Sequence, residues 1–269
     1  MVTTKSLTVG HTRFVCHLSD RSDDAPAIVM IHGIGGRTDT DFPFLFPMLA
    51  RTYTVLAIDL GAAGDSRDLT LEDLGRQVGS AIDSILPQRP IFLLGYSLGA
   101  LIAATVASSH TSISRLILIA GWLHSSPTHK TFGKLWRRLR NDQPAQREFA
   151  RLIALSPTFI NECKPEDLAQ TFPFSAIPIS EAHLQLIGSA DLRETAARIT
   201  PPTLVIGCSA DALSGLEQSE ALAGAIPNAT FAEIPSGHAA VVERPAQLLS
   251  LITGFLPTAT PARHSRDLT

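Results

Sequence analysis

Charged side chains are scarce in this chain. Asp, Glu, Lys and Arg make up 17% of its 269 residues and leave a net charge of −3 at pH 7. A nucleic acid finds no excess of positive charge here, so the electrostatic case for binding one is missing. Cysteine is scarcer still. Cys16, Cys163 and Cys208 are odd in number and far apart, a pattern that builds neither a disulfide framework nor a zinc site. Reduced thiols in a cytoplasm are the expectation. No apolar run approaches membrane-spanning length, and the opening residues Met-Val-Thr-Thr-Lys-Ser hold no apolar signal core. A soluble, cytoplasmic protein without a membrane span follows as the expected class. Internal repeats and low-complexity blocks are absent, and nothing in the sequence speaks to oligomeric state.

What is present is apolar. Hydrophobic residues reach 45%, enough to bury the core of one large α/β domain. Residues 6–19 alternate around Gly10-His11 and read as an antiparallel hairpin at a sheet edge. Ala27-Ile-Val-Met-Ile is uninterrupted in the manner of a strand buried on both faces. Phe42 to Leu49 reads as a helix with Pro43 in its first turn, and Tyr53 to Leu60 as the next strand. Leu74, Val78, Ile82 and Ile85 then recur at helical spacing within Leu71–Leu86. Further strands are expected at 89–96, 115–121, 202–207 and 230–234, with helices after Leu98, near 216–225 and from Pro245 to Phe255. Strands alternating with helices in this way predict right-handed crossovers and a doubly wound, mostly parallel sheet. From Trp122 to about Ile199 the rhythm changes to helical stretches near 130–141, 145–155, 165–171 and 180–198, broken at prolines. The simplest organisation is a core at 1–121 and 200–256, a helical lid inserted at 122–199, and a frayed tail at 257–269.

One stretch organises the rest. Gly95-Tyr96-Ser97-Leu98-Gly99 joins a short apolar strand to a helix of small and aliphatic residues. The flanking glycines let a tight turn close, and the Ser97 hydroxyl is held out beside the helix N-terminus, at the carboxyl edge of the sheet where such folds bind ligands. This is a nucleophile elbow, and on it the chain resembles the α/β-hydrolase family.

The resemblance implies a fold, an activity and a site. In that family the acid and the histidine follow the serine in chain order. Here Asp211 follows the strand at 202–207, and His238 lies in Ser236-Gly-His after the last strand, so Ser97, Asp211 and His238 are the implied triad. Relatives often carry glycine three residues before the acid, where this chain has Cys208. Asp59 and Asp191 are poorly placed as rivals. The turn His32-Gly33-Ile34-Gly35-Gly36 matches the one that presents an oxyanion-holding amide, so the Ile34 and Leu98 amides are the implied oxyanion hole, with His32 a structural brace. The turn Gly61-Ala-Ala-Gly-Asp-Ser66 takes the place of a family turn richer in proline and glycine, with a structural role.

The inserted helices carry the remaining clue. Phe132, Leu135, Trp136 and Leu139 share one helical face, which makes Phe132 and Trp136 candidate substrate contacts in an apolar roof. The cations Lys130, Lys134, Arg137, Arg138 and Arg140 lie mostly elsewhere, as a solvated face, a reach toward a substrate anion, or a membrane-surface contact. A serine at the elbow argues against relatives with a carboxylate nucleophile. Gly-Tyr-Ser-Leu-Gly is locally similar to the elbow of a menaquinone-pathway synthase, but the arginine those proteins place soon after is replaced by Ala100-Leu101. The resemblance therefore implies a cofactor-independent serine hydrolase, with no metal, acting on a small-molecule ester, lactone or thioester. A C–C bond hydrolase, a lyase or cyclase, and a non-catalytic ligand-binding homologue are the alternatives.

Overall fold

The computed structural model describes residues 1–20, 25–61, 69–164 and 179–257. Eight strands form one sheet in the order β1-β2-β4-β3-β5-β6-β7-β8. Strands β1 (Val2–Val9) and β2 (Thr12–Ser19) make the expected edge hairpin, which begins at Val2 rather than residue 6. The turn is closed by Gly10 at φ +58. β2 also pairs antiparallel with β4 (Thr54–Asp59). From there every neighbour is parallel: β4 with β3 (Ala27–Ile31), then β5 (Ile91–Tyr96), β6 (Ile113–Ile119), β7 (Thr203–Cys208) and β8 (Ala229–Ile234). The doubly wound, mostly parallel sheet is thus present.

Strands β3, β4, β5 and β7 are buried at every position, which is why their sequences run apolar without alternation. Their side chains still alternate between two cores. Ala27, Val29, Ile31, Leu93 and Leu118 pack on one face beneath α3 (Leu71–Ile85) and α4 (Leu98–Ala107). Ile28, Met30, Leu94, Ile117 and Ile206 pack on the other. Each fully buried Leu or Ile side chain contributes about 1.5–3 kcal/mol. β8 borders the sheet and is partly exposed.

The helix expected over Phe42–Leu49 is shorter, α2 (Leu45–Leu49), with Pro43 outside it, and an unexpected short helix α1 (Thr38–Asp41) precedes it. Pro43 is the reason. A residue before proline is pushed out of the helical region, and Phe42 sits at φ −125, ψ 32 as the cap that ends α1. In the stretch between β6 and β7, α5 (Pro127–Arg138), α6 (Gln143–Ala154), α7 (Pro157–Glu162), α8 (Glu181–Ser189) and α9 (Arg193–Ala196) follow one another. Pro127, Pro144 and Pro157 lie in first turns, so they start helices. The single helix expected over 180–198 breaks after Ser189, where Ala190–Leu192 is stitched to Leu123–Ser125. The Leu192 amide donates to Leu123 O at 2.8 Å and the Ser125 amide to Ala190 O at 2.9 Å. Buried Phe132, Trp136 and Leu184 from these helices join the core above α4. Helices α10 (Leu216–Ala225) and α12 (Pro245–Phe255) fall where expected, with the unexpected α11 (Ala240–Glu243) just before α12. The helical stretch near 165–171, most of the turn at 61–66 and the tail from 258 lie outside the described residues.

Candidate active site

At the β5–α4 junction the backbone makes a sharp turn. Ser97 takes φ +55, ψ −121, a left-handed value that a side chain rarely adopts. Only glycine fits on either side. A Cβ on Gly95 would lie 2.1 Å from Gly99 O, and one on Gly99 would lie 2.3 Å from Ile31 O. The Ser97 amide donates to Ile119 O at 2.8 Å, so the turn is anchored to β6. The strained turn leaves the Ser97 hydroxyl at the carboxyl edge of the sheet.

The structure brings Ser97, His238 and Asp211 into one buried line. Ser97 Oγ lies 2.8 Å from His238 Nε2, and His238 Nδ1 lies 2.8 Å from Asp211 Oδ2. A carboxylate on Nδ1 fixes the proton there, so Nε2 is the nitrogen left to accept from the serine hydroxyl. Asp211 Oδ1 accepts from the amides of Leu213 and Ser214 at 2.9 and 2.8 Å. Burial alone would raise the Asp211 carboxyl. His238 and these two amides outweigh it and hold Asp211 below the usual carboxylate range. Cys208, where relatives often carry glycine, is the last residue of β7. Its thiol is buried, pushed up to about 12 mainly by that burial, and inert as a nucleophile.

The loop after β3 passes close to the serine, with the Cβ direction of Gly33 pointing 3.2 Å from Ser97 Cβ. His32 braces this loop, its Nδ1 donating to Gly33 O at 2.7 Å and its Nε2 accepting from the Leu60 amide at 3.0 Å. The Gly33 amide is taken by Asp41 Oδ2 at 2.8 Å. The Ile34 amide and the Leu98 amide, at the first position of α4, have no acceptor among the described residues. Asp59 is far from any such role, bonded instead by Thr38, Arg37 and His17. Asp191 pairs with Arg193 at the surface.

Beside Ser97 lies a cavity of about 70 Å³ with walls that include Ile34, Phe132, Ile153, Leu213 and Val242. Of the two aromatic candidates, Phe132 lines this space. Trp136 is not among its lining residues and stacks behind Phe132, centroids 5.5 Å apart. Three of the α5 cations face elsewhere. Lys130, Lys134 and Arg137 border a separate surface depression with Gly188, and Arg137 pairs with Glu181. Among the described residues no group of three His, Cys, Asp or Glu could hold a metal ion, and no helix is long and apolar enough to cross a membrane.

Sequence reasoning missed three groups. Glu243 is buried, and its Oε1 accepts from the Ser156 amide at 2.6 Å and the Gly237 amide at 3.1 Å, while Oε2 accepts from Ser156 Oγ at 2.7 Å. It thereby ties the residue before His238 to the start of α7. The Ala239 amide adds a bond to Ala154 O at 2.8 Å. A lone acid after the apolar run Ala239-Ala-Val-Val242 was the available signal. Glu243→Ala should strand all three donors and cost about 3 kcal/mol in urea unfolding, with Glu243→Gln losing less. Asp41 is the second missed group.

The third is His129, fully buried against Trp122 with ring centroids 4.5 Å apart. Burial first, and the charge of His238 second, lower it to about 4. A depressed histidine stays neutral in the fold while the unfolded chain protonates. Its share of stability is therefore whole above about pH 6.5 and drains as pH falls toward 4. Between pH 7 and 4.5 the wild type should lose roughly 2–3 kcal/mol more than His129→Asn, read from urea midpoints at both pH values.

The sequence profile of the alpha/beta hydrolase fold matches residues 26–245. Pyrrolizixenacetamide deacetylase of Xenorhabdus hominickii is 30% identical over 242 residues, covering 86% of this chain and 91% of its own length. Two crystal structures share the fold. One is a hydrolase from Pseudomonas aeruginosa PA01, with TM-score 0.82 and 22% identity over 95% of this chain and 98% of that one. The other is the enol-lactonase from Burkholderia xenovorans LB400, with TM-score 0.81 and 22% identity over 93% of this chain and 99% of that one. On these matches the chain belongs to the α/β-hydrolase fold family, as a hydrolase.

Proposed function

We propose that this hydrolase works without a cofactor and cleaves short-chain carboxylic esters, lactones or thioesters through an acyl-enzyme on Ser97. The observation that carries the reading is the unbroken line Ser97 Oγ–His238 Nε2–His238 Nδ1–Asp211 Oδ2, with 2.8 Å at each hydrogen bond, opening on the cavity. As Ser97 Oγ attacks the carbonyl carbon, His238 Nε2 takes its proton. The carbonyl oxygen gains the electron pair and accepts from the Ile34 and Leu98 amides, each donor worth on the order of hundreds-fold in rate. The tetrahedral centre collapses, the bond to the leaving group breaks, and Nε2 returns the proton to that group. Water then gives a proton to Nε2 and its oxygen to the acyl carbon; the acyl–Oγ bond breaks, Nε2 returns the proton to Ser97 Oγ, and the acid leaves. Asp211 stabilises the transient imidazolium throughout.

Cavity size supports a short acyl group. About 70 Å³ is several times what one water needs and about half of a 150 Å³ cavity that holds benzene. The helices between β6 and β7 supply Phe132 and Ile153 to its wall and act as the lid. An acetamide is a second substrate type, supported by the deacetylase relative. Intact mass after a serine-directed fluorophosphonate tests the nucleophile: one adduct on wild type, none on Ser97→Ala, and slowed labelling of His238→Ala. A folded wild type that takes no adduct overturns the reading.

A further inference from the structure

The pocket beside Ser97 has one feature that an ester-cleaving site does not require. Besides Ser97, His238 and Tyr96, the polar side chains among its described lining residues are Thr40 and Asp41 of α1, and no Lys or Arg is among them. Asp41 is half-buried, and its carboxylate has no cationic partner among the described residues. Oδ2 accepts from the Gly33 amide at 2.8 Å and Oδ1 from Thr40 Oγ1 at 3.2 Å. Gly36 packs against the same carboxyl, since a Cβ there would meet Oδ2 at 2.3 Å. The group is therefore fixed in place by the loop that carries the Ile34 amide.

We propose that Asp41 sets the substrate class of this pocket, admitting uncharged short acyl groups and rejecting acyl groups that carry an anion. This rests on Ser97 being the nucleophile, since Asp41 and Ser97 line the same cavity. A negative charge on the acyl chain, about 6 Å from the Asp41 carboxylate at an effective dielectric of about 20, would be disfavoured on the order of 100-fold. No lysine or arginine is among the described lining residues to offset the repulsion.

Ionisation of Asp41 decides how strongly this acts. Burial raises its titration first; His32, the Gly33 amide and Thr40 oppose that, and Asp59 adds to the rise. The titratable groups facing it are thus His32 after β3, Asp59 at the end of β4 and Tyr96 at the end of β5, with Arg37 and Asp39 at its own helix. Rejection of anions is strongest above the titration of Asp41 and fades as pH falls through it.

The test uses two 4-nitrophenyl esters of matched shape, 3-sulfopropanoate and its neutral tert-butyl counterpart, 4,4-dimethylpentanoate. The sulfonate is ionised at every working pH, so any pH dependence of the kcat/KM ratio belongs to the protein. The shared leaving group and the shared His238 titration cancel in that ratio, as does any shift of the oxyanion loop. Wild type should favour the neutral ester about 100-fold at the alkaline end of its pH profile, where Asp41 is ionised, and less as pH falls. Asp41→Asn and Asp41→Ser are both made, so that failure of one to fold still leaves a reading. Each should narrow the preference at least about tenfold, and Asp41→Glu, which keeps the charge, should keep it. A wild-type ratio within threefold of unity, or a ratio unchanged in the neutral variants, overturns the proposal. So does turnover of neither ester, and the fluorophosphonate adduct then tells whether the assignment of Ser97 falls with it.

Discussion

Ser97→Ala should lower kcat/KM for any cleaved ester by at least about 10⁴-fold, because nothing else within the buried line can form the acyl-enzyme. Ser97 is 3% exposed, and its Oγ meets His238 Nε2 at 2.8 Å. Removing one oxygen deletes the attacking atom while the Ile34 and Leu98 amides and the pocket stay. A residue of catalysis over water from those groups is therefore expected rather than zero. Stability should hardly change. Alanine at φ +55 bears the same backbone strain as serine, and the lost hydrogen bond is worth about 1 kcal/mol. Steady-state rates on an ester, with urea unfolding of the same preparations, check both halves. Retention of wild-type turnover by a folded Ser97→Ala protein would sink the mechanism.

Gly99→Ala should be severely damaging for a single added methyl group. Its Cβ would lie 2.3 Å from Ile31 O, 2.5 Å from His32 O and 2.8 Å from Ile31 C, all backbone atoms of β3 and the loop after it. Flexible side chains can step aside from such a clash; a strand carbonyl in the middle of the sheet cannot. Relief requires α4 to slide away from β3, opening the core where Leu98, Leu101 and Ile102 pack. We expect a loss of about 3 kcal/mol, the upper range for overpacking, measured as the urea midpoint. The site should suffer beyond the stability loss, because the displaced backbone includes His32 and moves the Ile34 amide away from the serine. By contrast Gly224→Ala, with nothing within 4 Å, should be neutral or slightly stabilising by helix propensity.

The parts of this fold legible in the sequence are those that rest on repetition or on a forced backbone. β3 and β5 read as buried strands because every one of their side chains must be apolar. Ser97 was legible because two glycines at fixed spacing are the only residues the 2.1 and 2.3 Å approaches allow. Asp211 and His238 could be placed because the resemblance to the family supplies the chain order, and the structure sets them 2.8 Å apart. What escaped were groups whose partners are backbone amides or neighbouring hydroxyls. Asp41 binds the Gly33 amide, and Glu243 binds the Ser156 and Gly237 amides; an amide has no letter in the sequence. The Phe42–Leu49 helix failed for a related reason. Proline suits a first turn, but its effect on the residue before it ended α1 at Asp41 instead. Trp136 shared a face with Phe132, and helical periodicity cannot tell the ring that lines a cavity from the one stacked behind it.

The Glu243 carboxylate has a consequence for how such proteins diversify. Recombination that swaps the stretch between β6 and β7 for a relative's would change the substrate wall while sparing the sheet. Here that stretch is fastened to the far end of the chain, since Ser156 and Gly237 share one acid 87 and 6 residues away from it respectively. A transplanted segment without a hydroxyl at position 156 would leave a buried anion short of donors and slacken the loop that holds His238. New specificities in this lineage are therefore easiest to reach by exchanging α5 and α6 side chains in place. A wholesale graft succeeds when residues 156 and 243 travel together as a matched pair.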